Sequence, residues 1–161
     1  MAQTLWNVHH RYALLWFLGV ETGLRIGDLL RIRVRDVGQF LWLEEQKTKR
    51  IRGIFMMPDI LEDIYFYVYE HRLNPDEFLF FSSSTRKYKP ITRQWAHRVI
   101  ARTSKIRGHR HIGSHSMRKI YACELYRSTG KIEAVQEALG HRSVATTFFY
   151  IRDVLEDKKL G

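Results

Sequence analysis

Apolar residues recur every third or fourth position along most of the chain and alternate in one central stretch. Leu5, Val8, Tyr12, Leu15, Trp16 and Leu18 predict a buried helix over residues 3–20, ending near Gly19 or Gly23. Leu24 to Ile32 begins a second helix with Ile26, Leu29 and Leu30 inward. From Arg31 to Met57 the period shifts towards two. Ile32-Arg33-Val34, Phe40-Leu41-Trp42-Leu43 and Ile51 to Met57 read as three antiparallel strands. Asp36-Val37-Gly38 is the first turn, and Gln46-Lys47-Thr48-Lys49-Arg50 is a second turn too polar to be buried.

Helical spacing then returns. Pro58 opens a helix at the preferred first position, with Ile60, Leu61, Ile64, Tyr65 and Val68 as its stripe, and Asn74-Pro75 ends it. After the apolar run Phe78 to Phe81, a basic loop from Ser82 to Lys89 leads to Pro90. Thr92 caps a helix that carries Trp95, Val99 and Ile100 on one face and Arg93, His97, Arg98 and Arg102 on the other. Met117, Ile120, Tyr121 and Leu125 mark the next helix, with Ser114 as its N-cap. Ile132, Val135 and Leu139 mark another, closed by Gly140. Ser143 caps a last short helix through Phe148 and Phe149, read as core, to Tyr150. A charged tail follows, with Val154 and Leu155 as its contacts. The fold class is α+β, mostly helical with a small three-stranded antiparallel sheet. Trp6, Trp16, Trp42 and Trp95 read as packing residues.

Composition narrows the functional classes. A length of 161 residues suits one domain able to bury a core, and 45% hydrophobic content argues against a disordered tail. Lys and Arg number 27 against 17 Asp and Glu, a formal charge of +10 that favours a polyanionic partner, with nucleic acid first. These cations are spread along the chain, which predicts a basic face on a folded body. The single Cys123 reads as a buried apolar residue of a cytosolic protein. No apolar run is long enough to span a bilayer, so no membrane association is expected.

The densest candidate chemistry lies between His115 and Tyr150. His115 and Arg118 sit three residues apart near a helix N-terminus, where an imidazole, a guanidinium and free N–H groups together suit a phosphate. His141 follows at a turn, and Tyr150 lies about two and a half turns beyond it. Taken singly, His141 is an ordinary turn residue and Tyr150 an aromatic in a Phe-Phe-Tyr core cluster. His109, His111 and His115 are spaced for zinc, but neighbouring arginines and the lack of a carboxylate or cysteine ligand argue against it, and no metal or cofactor is expected. His9 and His10 are adjacent and face different ways, which suits a surface pair rather than a metal site.

These strings, in order, resemble the catalytic domain of the tyrosine recombinases, or phage-type integrases. They are Thr22 to Leu30, His115-Ser116-Met117-Arg118, Leu139-Gly140-His141 and Ser143 to Tyr150. The resemblance implies that residues 1–161 form that catalytic domain without the N-terminal DNA-clasping domain, and that residues 151–161 form a C-terminal tail that docks on a neighbouring subunit. It implies double-stranded DNA as partner, a dimer or tetramer on DNA, and a cytoplasmic location with the nucleoid. It assigns Arg25, His115, Arg118 and His141 to the scissile phosphate and Tyr150 to attack. Lys47 best matches the general acid, with Lys49 as its competitor. Asp28 stands where the family more often has glutamate, placed to orient Arg25. The implied activity is site-specific strand cleavage and rejoining through a 3′-phosphotyrosyl link, without metal or ATP. Nicking and resealing of the type IB topoisomerase kind, or a non-catalytic DNA-binding module, are the alternatives.

Overall fold

The structure, a computed structural model, describes residues 10–82, 89–106 and 113–156. Helix α1 (His10–Thr22) runs through the middle of the main core, with Ala13, Leu14, Leu15, Trp16 and Leu18 all buried. Its neighbours are α3 (Pro58–Glu70), α4 (Arg93–Ile106) and α5 (Ser114–Thr129). The approach of α1 to α5 needs Gly19, since a Cβ there would lie 2.4 Å from the Met117 sulfur. Arg11 is buried in this core because its charge is met twice: Nη1 donates to the Phe81 carbonyl at 2.6 Å, and the guanidinium lies 4.1 Å over the Phe81 ring.

Among the described residues the sheet has two strands, not the three expected. Strands β1 (Phe40–Glu44) and β2 (Ile51–Phe55) pair antiparallel, with Trp42 opposite Gly53. Ile32-Arg33-Val34 does not join them. The Asp36 carboxylate accepts the Arg33 N–H at 2.8 Å and tightens Val34–Asp36 into a 3-10 turn. The backbone here bonds instead to the segment after α3, through Val34 N–H to Glu77 and Leu79 N–H to Ile32. The second predicted helix shrinks to one turn, α2 (Ile26–Leu29).

A second, smaller core holds the C-terminal part together. Ala122 and Cys123 of α5 meet Val135 and Leu139 of α6 (Ile132–Leu139) and Ile151 of α7 (Val144–Glu156). Gly140 adopts a left-handed φ of 60° and ends α6, so its N–H and that of His141 turn back onto the Glu137 and Gln136 carbonyls. Helix α7 runs on to Glu156, so the expected tail begins as helix, while residues 157–161 lie outside the described residues.

Several local expectations change. Gly113, not Ser114, precedes α5 and donates its N–H to the Ser116 hydroxyl at 3.0 Å. Tyr65, Trp42, Ile120 and Phe148 are exposed rather than buried, with the Trp42 ring lying over Gly53, and the Phe149 side chain lies outside the description. Thr92 does cap α4, accepting the Trp95 N–H at 3.1 Å. Because Leu15 is fully buried in the main core, Leu15→Ala should lower unfolding free energy by about 2–5 kcal/mol, measured from urea midpoints. A loss under about 1 kcal/mol would show that α1 is not the packing centre.

Candidate active site

Two arginines far apart in sequence converge on one backbone oxygen. Arg25 stands immediately before α2; its Nη2 donates to the Leu139 carbonyl at 3.4 Å and its Nη1 reaches the Glu45 carboxylate at 3.2 Å. Arg118, on the second turn of α5, is buried and donates to the same Leu139 carbonyl and to the Gly23 carbonyl. Leu139 is the last residue of α6, so both cations meet the negative end of a helix dipole. Burial, and then the charge of Arg25, pull the Arg118 pKa down to about 10, which leaves it cationic at neutral pH.

His141 follows directly on the Gly140 turn and is held by its backbone, which exchanges hydrogen bonds with Gln136 at 3.0 and 3.1 Å. Its Nδ1 lies 3.1 Å from the Thr147 hydroxyl. Burial lowers its pKa, as do the charges of Arg118, Arg25 and Lys47, so the ring is neutral at pH 7. Tyr150 meets it edge-on, with ring centroids 5.5 Å apart. The Tyr150 hydroxyl donates to the His115 carbonyl at 3.2 Å. Burial pushes the phenol up to about 12, against the opposing pull of Arg118 and Arg25.

Arg25, Lys47, His115, Arg118, His141 and Tyr150 all line one open cavity of about 570 Å³. Arg93 and His97 of α4 line it too, with Arg93 donating to the Gln46 side chain at 2.6 Å. Lys49 departs from this group: its backbone is left-handed and its amine lies 3.6 Å from Glu44. Asp28 does not orient Arg25. Its carboxylate accepts the Gln46 N–H at 2.9 Å, and the carboxylate beside Arg25 is Glu45. Glu45 is fully buried and also meets Arg52 at 3.3 Å and the Thr48 hydroxyl at 2.5 Å. The inward alternation Leu41, Leu43 carries on to position 45, a signal that pointed to an inward Glu45.

Among the described residues no cluster of His, Cys, Asp or Glu has the geometry of a metal site, and no helix is long and apolar enough to cross a membrane. His109 and His111 lie outside the described residues.

A phenol facing two guanidiniums and two histidines, on a helical domain with one β-hairpin, makes a site suited to holding and attacking a phosphate diester. Residues 3–156 match the phage integrase family. A probable integrase/recombinase, YoeC of Bacillus subtilis, is 36% identical over 92% of this chain and 81% of its own length. The XerA recombinase structure superposes with a TM-score of 0.77 at 24% identity, over 93% of this chain and 56% of that one. A lambda integrase dimer bound to a COC′ core site gives a TM-score of 0.70 at 25% identity, over 93% of this chain and 55% of that one. The chain belongs to the phage integrase family, the tyrosine recombinases, and covers only about half the length of most relatives it matches.

The His141 environment sets a pH dependence. Folding lowers its pKa from 6.5, so the unfolded chain binds the proton more readily. The stability it contributes is complete above about pH 6.5 and is lost as pH falls through the lower folded value. His141→Gln should flatten the fall in urea midpoint from about pH 7 to pH 5. Parallel curves for the two proteins would contradict this assignment.

Proposed function

We propose that the chain is the catalytic domain of a site-specific DNA recombinase that cuts one strand through Tyr150 and passes it to another. The observation that carries this reading is the Tyr150 phenol sharing a cavity with the guanidiniums of Arg25 and Arg118. Those guanidiniums clamp the non-bridging oxygens of the scissile phosphate, joined by His115 and His141. The Tyr150 oxygen attacks phosphorus in line, its proton passing to His115 as the new P–O bond forms. The bond from phosphorus to the 5′ oxygen breaks, and Lys47 supplies the proton that oxygen takes. The product is a 3′-phosphotyrosyl link and a free 5′ hydroxyl. Because one phosphodiester replaces another, a 5′ hydroxyl from a second strand reverses the step without ATP or metal.

Resting protonation states agree with this order. Burial keeps the phenol neutral, so it reacts only when a base is in place. Burial first, and then the charges of Arg118, Arg25 and Lys47, lower the His141 pKa; a bound phosphate offsets the part due to charge and so favours the protonated ring as a donor.

The net charge of +10 and the basic cavity support double-stranded DNA as partner. Structures of lambda integrase hold a dimer on a core site and a tetramer on a Holliday junction. We propose the same kind of assembly for this protein, with the part of the C-terminal tail that follows the buried Ile151 reaching a neighbouring subunit, acting on DNA in the cytoplasm.

Incubation with supercoiled plasmid in EDTA, quenched with SDS, should yield a covalent DNA adduct on a Tyr150 peptide. Tyr150→Phe should abolish the adduct and leave DNA affinity unchanged. DNA binding with no adduct in the wild type would make the protein a binding module. Plasmid relaxation without any joining of strands from two duplexes would make it a nicking and resealing enzyme. Lys47→Ala should slow single-turnover cleavage at least about a hundredfold, as loss of a general acid does. Lys49→Ala should change it little, and the reverse ranking would move the general acid to Lys49.

A further inference from the structure

The hairpin turn that carries Lys47 is closed by Glu45 at both ends. The Glu45 N–H donates to the Arg50 carbonyl at 2.9 Å, and the Lys49 N–H donates to the Glu45 carbonyl at 2.9 Å. The Glu45 side chain points the opposite way, into the protein, and is completely buried. One of its oxygens takes both the Arg25 guanidinium at 3.2 Å and the Thr48 hydroxyl at 2.5 Å; the other takes Arg52 at 3.3 Å. Burial alone would raise the pKa of this carboxyl. The Thr48 hydroxyl and the charges of Arg25 and Arg52 outweigh burial and hold it below its usual range, so it is ionised. A buried carboxylate held by two guanidiniums and a hydroxyl is a built feature, because losing either guanidinium leaves charge uncompensated in the interior.

We propose that Glu45 is a positioning residue that couples the phosphate clamp to the proton donor, with Thr48 as the arm that reaches the lysine turn. One carboxylate oxygen is shared between Arg25 and the residue next to Lys47, so the guanidinium and the turn cannot shift independently. Phosphate held by Arg25 therefore meets Lys47 at a set place, on the leaving side of the scissile bond. Arg52 supplies the second cation that keeps Glu45 charged, and its Nη2 ties the unit to the Thr22 carbonyl at 3.2 Å, one residue before the turn at Gly23 that leads to Arg25. This inference rests on the cleavage reading given above.

Its test uses the position of the plasmid adduct. A duplex oligonucleotide of the mapped sequence is made in two forms, with oxygen or with sulfur bridging phosphorus and the 5′ carbon at the cleaved bond. A thiolate leaves without being protonated, so the sulfur substrate bypasses Lys47 and reports on the clamp alone. Thr48→Val keeps both guanidiniums on Glu45 and removes the hydroxyl that joins it to the lysine turn, together with that hydroxyl's long contact to the Arg50 N–H at 3.4 Å. It should slow single-turnover cleavage of the oxygen substrate about tenfold or more, leave the sulfur substrate near the wild-type rate, and leave DNA affinity unchanged. Glu45→Gln disturbs both halves and should slow both substrates, the oxygen one more, with Glu45→Asp partly restoring the rate. Equal slowing of the two substrates by Thr48→Val, or wild-type rates for both variants, would overturn the coupling while the wild-type adduct still stands. If the wild type forms no adduct, the cleavage reading itself fails, and the coupling falls with it.

Discussion

Everything at the site depends on how three guanidiniums are kept close together inside a folded protein. Arg25, Arg118 and Arg52 would repel one another, and two of them are largely buried. The molecule answers with the Leu139 carbonyl, shared by Arg25 and Arg118, and with the Glu45 carboxylate, shared by Arg25 and Arg52. Both acceptors are themselves fixed, the carbonyl by the end of α6 and the carboxylate by the hairpin turn. The cations are thus oriented before any anion arrives, which is the condition for electrostatic preorganisation.

The packing explains why those acceptors do not move. Helix α5 touches both cores, contributing Met117 to the one around α1 and Ala122 and Cys123 to the one with α6 and α7. Arg118 lies between these two contact zones and is buried at their junction. On the other side, Arg50 of the hairpin donates to the Glu137 carbonyl at 2.6 Å, tying the lysine turn to the last turn of α6. The hairpin turn, α2, α4, α5 and α7 line the cavity, and the end of α6 stands behind it through the Leu139 carbonyl.

Proton affinities follow from the same arrangement. Burial, and then the charges of Arg118, Arg25 and Lys47, lower the His141 pKa, while burial raises that of Tyr150, so the site holds a neutral imidazole and a neutral phenol. The phenol hydroxyl rests on the His115 carbonyl, which in the proposed reaction it leaves to reach the phosphate. In the proposed reaction a phosphate in the cavity raises both affinities at once, which links binding to reactivity.

Much of this was legible in the chain itself. Helical spacing located α1, α3, α4, α5, α6 and α7, since a helix that packs on a core must repeat its apolar face every three to four residues. The ordered strings around Arg25, His115, Arg118, His141 and Tyr150 name candidate site residues from the chain alone, and all of them line one cavity. The third strand was misread because Ile32-Arg33-Val34 has strand-like alternation, yet the Asp36 carboxylate bends it into a 3-10 turn, a side-chain contact invisible to a count of periods. The partner of Arg25 was misread for a similar reason. Asp28 is three residues away and Glu45 twenty, and proximity in sequence favoured the wrong carboxylate. Local spacing determines which residues share a helix face, because the backbone repeat is the same everywhere. Which charge neutralises which is decided only when distant segments are packed together, because electrostatic pairing depends on distance through space and burial, and neither is written in the order of the residues.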